Sequence, residues 1–322
     1  MSLPENFHEL ELRFVYGHVL NELISRNKNV YCLEADLSKA SGTNPLVLQE
    51  HPANFINAGV AEANMLGLAA GLAVEGKIPF CATFCSFASR RIYDQITISV
   101  AYADTNVKIV GTGPGITQGP NGGTHMCFQD LAIMRAMPNI RIFSPCDAFE
   151  LRAVLHFMAA HYGGMYLQLL RMKHPAVFDA DYVFEEGKAK RLAEGNAVTL
   201  ITTGYTTHLA RPAVLSLQKD GIAADWLHCP CIKPFPVEDV VASAKKTGTV
   251  VTVENQNIIG GLGGAVCETL AEHYPVYLKR LGVPDKFGEI ASEEYLLNKH
   301  GFNTEHIISA CKESVQNKGK SK

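Results

Sequence analysis

The sequence lacks a strong charge of either sign and lacks long apolar runs. Its 29 Lys and Arg residues against 32 Asp and Glu give a formal net charge of -3 over 322 residues. Nucleic acid is therefore not expected as a partner, because proteins that bind it concentrate positive charge. No apolar run approaches the roughly 18 residues of a membrane helix, so no membrane association is expected. Charged residues interrupt the amino terminus, and no signal peptide is expected.

Paired cysteines are also missing. The nine cysteines are an odd number without regular spacing. Cys229 and Cys231 form a C-x-C, but no second cluster completes a zinc site. The pattern favours buried, reduced thiols and no metal ligand in this chain, which points to the cytoplasm.

What the sequence does contain is an alternation of helix-like and strand-like segments. Its length suggests about two domains, and 47% hydrophobic residues with 19% charged ones are typical of a globular protein. We predict an α/β fold of two parallel-sheet, three-layer domains, residues 1–185 and 190–322, with a charged linker that contains glycine around residues 179–196. The basic tail, residues 312–322, is expected to be disordered.

A glutamate stands at the start of a helix of small residues, in the run FINAGVAEANM (residues 55–65). Taken alone, Glu62 fits an ordinary first-turn glutamate that the helix dipole stabilises. The run resembles the G-[IV]-x-E-x-x-M motif of the pyrimidine-binding domain in transketolases and deoxyxylulose-phosphate synthases. In that family the glutamate bonds a ring nitrogen of thiamine diphosphate. The resemblance implies that Glu62 activates this cofactor, which calls for a carboxyl group in an apolar pocket.

Three further segments resemble the same family. Phe84 and Phe87, core residues by default, match the aromatic residues that stack on the aminopyrimidine ring. His125 ends the run GPNGGTH, a plain turn when taken alone, and matches a histidine that faces the thiazolium and the donor sugar and handles protons. Asp36, in the run ADLS, matches an aspartate near the cofactor. A role for Asp36 in a turn or a helix cap stays equally open.

The rest of the chain continues the resemblance. Arg171 ends an apolar strand and matches a contact to the sugar phosphate, although a structural ion pair is nearly as well supported. Arg91 and Asp94 are interpreted as structural or subunit-contact residues. The runs IKP, TVE and GGLG of the second domain also match, and the glycine run is interpreted as a turn and helix start without a cofactor. About residues 7–312 resemble the carboxy-terminal subunit of a split transketolase.

The family's Gly-Asp-Gly motif, which with a later asparagine holds the diphosphate through Mg²⁺, is absent from the sequence. The resemblance therefore implies that thiamine diphosphate is shared with an amino-terminal transketolase subunit that carries this motif and holds Mg²⁺. An α2β2 heterotetramer is expected, and this chain alone should be inactive. The implied reaction transfers a two-carbon ketol unit from a ketose to an aldose.

Three positions depart from common transketolases. Asn121 replaces an aspartate that contacts a substrate hydroxyl, Gly113 stands where many members have a histidine, and Ala40 stands near a serine that often helps to hold the phosphate. With His125 and Arg171, these positions are expected to line the sugar-binding channel. We therefore predict an ordinary cofactor and a non-standard sugar, such as a modified or branched ketose phosphate or a sulfosugar.

Two alternatives stay open. The chain could be the β subunit of a 2-oxo-acid dehydrogenase or half of a deoxyxylulose-phosphate synthase, both of which use a 2-oxo acid as donor. It could also be a non-catalytic regulatory or scaffold module, an interpretation to which Asn121 and Gly113 give some weight.

Overall fold

The computed structural model describes residues 3–44 and 46–318. The chain forms two compact units, Met1–Pro114 with Ile133–Phe184 and Gly115–Ala132 with Glu185–Lys322. The second unit therefore includes residues 115–132, where Asn255 Oδ1 accepts a hydrogen bond from the Ile116 amide at 3.0 Å. The predicted domains, residues 1–185 and 190–322, placed residues 115–132 in the first domain. These domain bounds stay a prediction.

The first unit is built on a parallel sheet. Its strands are β1 (Val30–Glu34), β2 (Phe55–Asn57), β3 (Ile78–Phe84), β4 (Lys108–Thr112), β5 (Ile140–Phe143) and β6 (Gly164–Leu169). They lie in the order β5-β6-β4-β3-β1-β2, and each pair is parallel. Strands β4 and β6 are buried along their whole length. Burial on both faces explains why these strands are nearly continuous apolar runs in the sequence.

Helices flank this sheet. Their bounds are α1 (Leu12–Arg26), α2 (Ser38–Ser41), α3 (Leu46–Glu50), α4 (Glu62–Val74), α5 (Cys85–Ala88), α6 (Tyr93–Gln95) and α8 (Ala148–Ala160); α7 (Asp130–Ala136) runs across the boundary between the two sets of residues. The sequence also favours a helix over about residues 89–103, and the structure is helical over Arg90–Tyr102, although the helical turns are of mixed type. That segment is a 3-10 turn (Arg90–Ile92), then α6, then a π-helical stretch (Ile96–Tyr102). Ser89, with φ of -120° and ψ of -84°, is not helical and separates α5 from this segment.

The second unit has its own sheet. Its residues form strands β7 (Lys190–Ala193), β8 (Val198–Thr202), β9 (Ala224–His228), β10 (Cys231–Lys233), β11 (Thr249–Asn257) and β12 (Tyr277–Val283). The sheet order is β12-β11-β8-β9-β7, parallel except for β7, which pairs antiparallel with β9. The prediction of two α/β folds is confirmed. The second sheet is mixed, because a strand forms within the segment that was expected to be a linker.

The helices of the second unit are α9 (Thr206–Lys219), α10 (Val237–Thr247), α11 (Leu262–His273), α12 (Glu293–His300) and α13 (Thr304–Gln316). Helix α13 buries Ile307, Ala310, Cys311 and Ser314, so the disorder expected from residue 312 is wrong as far as residue 316. Residues 319–322 of that expected tail lie outside the described residues. No helix within the described ranges is long and apolar enough to cross a membrane.

The glycine run before α11 is a helix start, as its spacing indicated. The Glu254 carboxylate accepts hydrogen bonds from the Leu262 and Gly263 amides, at 2.8 Å each. Amides at a helix amino terminus attract anions. Here the chain's own carboxylate takes the position that a phosphate occupies in a nucleotide-binding loop.

Candidate active site

Glu62 is the first residue of α4, and its side chain is 4% exposed. Ala61 before it provides no side-chain cap, so the carboxylate lies in the first turn, where the helix dipole favours negative charge. Arg91 donates from Nη1 to both carboxylate oxygens, at 3.0 Å each. The pocket around Glu62 is therefore buried, but Arg91 makes it less apolar than the resemblance implied. Arg91, which the sequence left as a structural or contact residue, is the direct partner of Glu62.

Two phenylalanine rings adjoin this pair. Phe84 ends β3 and Phe87 lies in α5, with ring centroids 6.1 Å apart and planes inclined at 60°. The Arg91 guanidinium lies 4.1 Å from the Phe87 centroid. Because Arg91 contacts both Glu62 and Phe87, the structure brings the candidate carboxylate and the candidate aromatic rings into one cluster.

Arg171 also contacts Phe84, with its guanidinium 5.5 Å from the ring centroid. Within the described ranges its buried Nε has no hydrogen-bond partner. Burial lowers the pKa of Arg171, and the like charge of Arg13 lowers it further. The Arg13 amide donates to the Arg171 carbonyl at 3.2 Å, and the Arg13 side chain pairs with Glu11. Arg171 thus lies near a second arginine, and neighbouring guanidinium groups are suited to an oxyanion.

Asp36 occupies the left-handed region, with φ of 61°. Its amide donates to Asn57 Oδ1 at 3.0 Å, and Asn57 Nδ2 donates to Asp36 Oδ1 at 3.1 Å. Asn57 Oδ1 also accepts from the Gly59 amide at 3.0 Å. Asp36 therefore fixes a turn and does not cap α2, whose cap residue is Leu37. The same bonds hold the segment that leads into α4.

A cleft of about 650 Å³ opens beside Asp36. Its lining residues are Asp36, Leu37, Ser38, Lys39, Ala40, Asn44, Leu48, Phe55 and Asn57. Ala40, one of the three departures noted in the sequence, lies in this wall. The cleft contains one cation, Lys39, among its lining side chains.

Gly113 follows β4 with φ of 67°, and its amide donates to the Leu169 carbonyl at 2.9 Å. A residue with a Cβ is strained at such an angle. The positive φ of Gly113 therefore favours glycine at this position. This backbone reason is separate from the predicted absence of a histidine from the sugar-binding channel.

Asn121 and His125 belong to the second unit. Asn121 is exposed, and its Nδ2 donates to Gln118 Oε1 at 2.8 Å. His125 is partly exposed, and its Nδ1 lies 2.8 Å from Thr124 Oγ1. The His125 and Met126 amides both donate to the Gly122 carbonyl. The GPNGGTH run thus forms a hydrogen-bonded turn that presents an accessible imidazole.

Sequence reasoning missed two residues of this region, Arg13 and Asn57. Arg13 had no distinguishing signal, because its neighbour Arg171 lies far along the chain. Asn57 stood inside the glutamate motif, and a short polar residue at the end of a strand was the signal that could have found it.

Comparison with known proteins gives consistent matches to both parts of the chain. Residues 8–174 match the family model "Transketolase, pyrimidine binding domain", and residues 187–307 match "Transketolase, C-terminal domain". The chain is 45% identical over 307 residues to the 6-deoxy-6-sulfo-D-fructose transketolase subunit SqwH of Clostridium sp. (strain MSTE9), with 95% of each chain covered. It is 34% identical to a subunit of the apulose-4-phosphate transketolase of Phocaeicola vulgatus, and the match covers 94% of this chain and 96% of the relative.

A solved structure gives the same result. The structure described as "Split gene transketolase, inactive beta4 tetramer" superposes with a TM-score of 0.87 at 38% identity, covering 96% of this chain and 99% of that one. The family matches cover most of the chain, and the relatives match it in extent as well as in sequence. The chain belongs to the transketolase family and corresponds to its carboxy-terminal subunit in split transketolases.

Proposed function

We propose that this chain is the carboxy-terminal subunit of a thiamine-diphosphate-dependent transketolase, a transferase that moves a two-carbon ketol unit from an anionic ketose to an aldose. The observation that supports this most directly is the cluster of Glu62, Arg91 and Phe87. It combines a buried carboxyl group, which can share a proton with a weakly basic ring nitrogen, with an aromatic ring that can stack on a heterocycle.

The residues present fit the pyrimidine half of the cofactor. Phe84 and Phe87 offer apolar faces for stacking and exclude water. Glu62 offers a carboxylate that bonds a ring nitrogen. When bound, thiamine diphosphate supplies the nucleophilic carbon and the electron sink of the reaction. His125, partly exposed on its turn, is assigned to proton transfer with the sugar hydroxyls, and Asp36 is assigned to the cofactor side of the cleft.

The diphosphate half is assigned to a partner. The sequence has no Gly-Asp-Gly motif, so Mg²⁺ and the diphosphate belong on an amino-terminal transketolase subunit that carries the motif, in an α2β2 assembly. Two relatives support this division: the Phocaeicola protein is one subunit of its transketolase, and the split-gene structure is an "inactive beta4 tetramer". The eight buried cysteines and the partly exposed Cys267 fit a reducing compartment such as the cytoplasm.

The donor is proposed to be a ketose that carries a sulfonate or phosphate. Arg171 and Arg13 provide the positive charge for such a group. Asn121, Gly113 and Ala40 remain the candidates for accommodating a sugar other than the common pentose phosphate. The names of two relatives, a 6-deoxy-6-sulfo-D-fructose transketolase subunit and an apulose-4-phosphate transketolase subunit, support this choice.

Reconstitution tests the proposal. The chain alone and the chain mixed with an amino-terminal transketolase subunit that carries the Gly-Asp-Gly motif are assayed with thiamine diphosphate and Mg²⁺. The donors are 6-deoxy-6-sulfofructose, apulose 4-phosphate and xylulose 5-phosphate. We expect turnover only in the mixture, with one of the first two donors preferred. Full activity on xylulose 5-phosphate would refute the sugar assignment, and carbon dioxide release from a 2-oxo acid would refute the transketolase assignment.

A further inference from the structure

Glu34 is a buried acid that the proposed chemistry does not use. It ends β1, and its side chain is fully buried. Its Oε1 accepts hydrogen bonds from Ser41 Oγ at 2.5 Å and from Thr43 Oγ1 at 2.7 Å. Its Oε2 has no hydrogen-bond partner within the described ranges. Burying a carboxyl group with one oxygen unpaired costs free energy. A structural or functional role would explain why the chain keeps an acid at this position.

The two hydroxyl groups bonded to Glu34 belong to the segment that forms one wall of the cleft beside Asp36. Ser38, Lys39, Ala40 and Asn44 line that cleft, whereas Ser41 and Thr43 turn inward and are buried. Glu34 therefore contacts the inner side of the wall, and it does so at two points on either side of Gly42. We call residues 37–44 the cleft wall.

The cleft wall is also pressed against α1. Gly42 has φ of 81°, and a Cβ added to it would lie 2.2 Å from the Arg13 carbonyl oxygen. A Cβ added to Gly17 would lie 2.1 Å from the Gly42 carbonyl oxygen. Two glycines at this contact let the backbones approach more closely than other residues would allow. Close backbone packing thus holds the cleft wall against α1. The Ser41 and Thr43 hydroxyl groups attach the same wall to Glu34 on β1.

The charge of Glu34 can change near neutral pH. Burial raises its pKa from the model-compound value of 4.5 to about 7, against the opposing effect of the Ser41 and Thr43 hydroxyls. The titratable groups around it are Tyr16 of α1, Cys32 of β1 and Cys81 of β3. Burial raises the pKa of each of these groups, so none of them carries a charge near pH 7. Glu34 is therefore the group here that titrates in this range.

We propose that Glu34 is a positioning residue that latches the cleft wall, and through it the donor-binding side of the cleft. The latch is closed when Glu34 is neutral, because the neutral acid tolerates burial and still accepts both hydroxyl bonds. Ionised Glu34 is stabilised when the wall opens and water solvates the carboxylate. Linkage therefore requires the wall to open more readily as the pH rises through about 7. The link to the donor rests on the proposed function, whereas the latch itself does not.

Hydrogen exchange on the full chain tests the latch directly. Between pH 6 and pH 8, after correction for the intrinsic rate, opening of residues 37–44 should increase by about tenfold, as linkage gives for a carboxyl pKa of about 7 when closed and 4.5 when open. Glu34→Gln keeps a carbonyl oxygen for both hydroxyl bonds but cannot ionise, so its corrected exchange should not change with pH. Glu75→Gln, at the exposed end of α4, is the control and should behave as the unsubstituted chain. Equal pH dependence in the unsubstituted chain and in Glu34→Gln would overturn the latch.

A second variant covers the case in which Glu34→Gln does not fold. Thr43→Val removes one of the two donors and should speed exchange of residues 37–44 at every pH, whereas Thr43→Ser keeps the hydroxyl and should not. In the reconstituted enzyme, Thr43→Val should raise the donor KM severalfold and leave kcat within about twofold. An equal loss in kcat would show a merely structural role. If the mixture has no transketolase activity at all, the proposed function fails, while the exchange results still decide the role of Glu34.

Discussion

Arg91 bonds both oxygens of Glu62 from a single nitrogen, and the same guanidinium lies over the Phe87 ring. The carboxylate expected to bond the cofactor thus already has a cationic partner in this chain. A ring nitrogen and Arg91 would compete for the same two oxygens, and the Phe87 face that Arg91 covers is one on which a pyrimidine could stack.

Arg91→Gln should therefore tighten the binding of thiamine diphosphate to the reconstituted complex. Arg91 is half-exposed, and an ion pair open to water contributes about 1 kcal/mol at most. We expect the dissociation constant to fall by up to about fivefold, and Arg91→Lys, which keeps the charge, to show a smaller change. Titration calorimetry measures both. Weaker binding in Arg91→Gln would instead show that Arg91 holds Glu62 in its working position.

Replacing Glu62 itself should separate catalysis from assembly. Glu62→Gln removes the charge but keeps the shape, and loss of a residue that handles protons typically slows turnover by about 10²- to 10⁴-fold. The complex should still assemble, as size-exclusion chromatography would show. Glu75→Gln at the exposed end of the same helix should leave turnover unchanged. A Glu62→Gln complex with full activity would support the non-catalytic module.

Arg171 should act on binding of the donor's anionic group. Arg171→Gln should raise the donor KM by about 10-fold or more, since a charge-assisted bond contributes about 1.5–3 kcal/mol. The effect should be much smaller with an uncharged ketose analogue. Arg26→Gln is a suitable control, because Arg26 is largely exposed and pairs with Glu22. Equal losses for charged and uncharged donors would assign Arg171 to structure.

Lys108 should make stability depend on pH. Its ammonium is fully buried and donates to Asn106 Oδ1, the His161 carbonyl and the Gly163 carbonyl, at 2.7–2.8 Å. Burial, then the like charge of Arg141, lowers its pKa to about 7. Between about pH 7 and 10.5 the unfolded chain then binds more protons than the folded one, so this residue's contribution to stability rises with pH.

Lys108→Met tests this. It removes the Lys108 donor from the His161 and Gly163 carbonyls, while Asn106 Oδ1 still accepts from the Gly163 amide, and should cost about 2–4 kcal/mol of unfolding free energy. Urea unfolding at pH 6.5 and 9.5 should show a larger difference between the unsubstituted chain and Lys108→Met at the higher pH. A difference that shrinks with pH would mean that the three acceptors keep the ammonium charged.

Much of the fold could be predicted from local patterns. Fully buried strands such as β4 and β6 are mostly apolar, and helices such as α8 have regular apolar spacing, so elements of this kind can be recognised in the sequence. The elements that were missed depend on distant partners. Strand β7 forms because β9 lies beside it, and the segment after Ser89 changes from 3-10 to α-helical to π-helical turns. Neither event leaves a periodic signal in the sequence.

The sequence by itself determined the family and the α/β class, and it predicted the candidate site residues Glu62, Phe84, Phe87, His125 and Arg171, because these predictions depend on residue type and local spacing. Tertiary structure decided what each of them touches. Arg91 pairs with Glu62, Arg13 lies beside Arg171, and Glu34 holds the cleft wall through Ser41 and Thr43. These relationships arise where strand ends and helix starts meet in the folded sheet, and burial there sets the charge of groups that appear ordinary in the sequence.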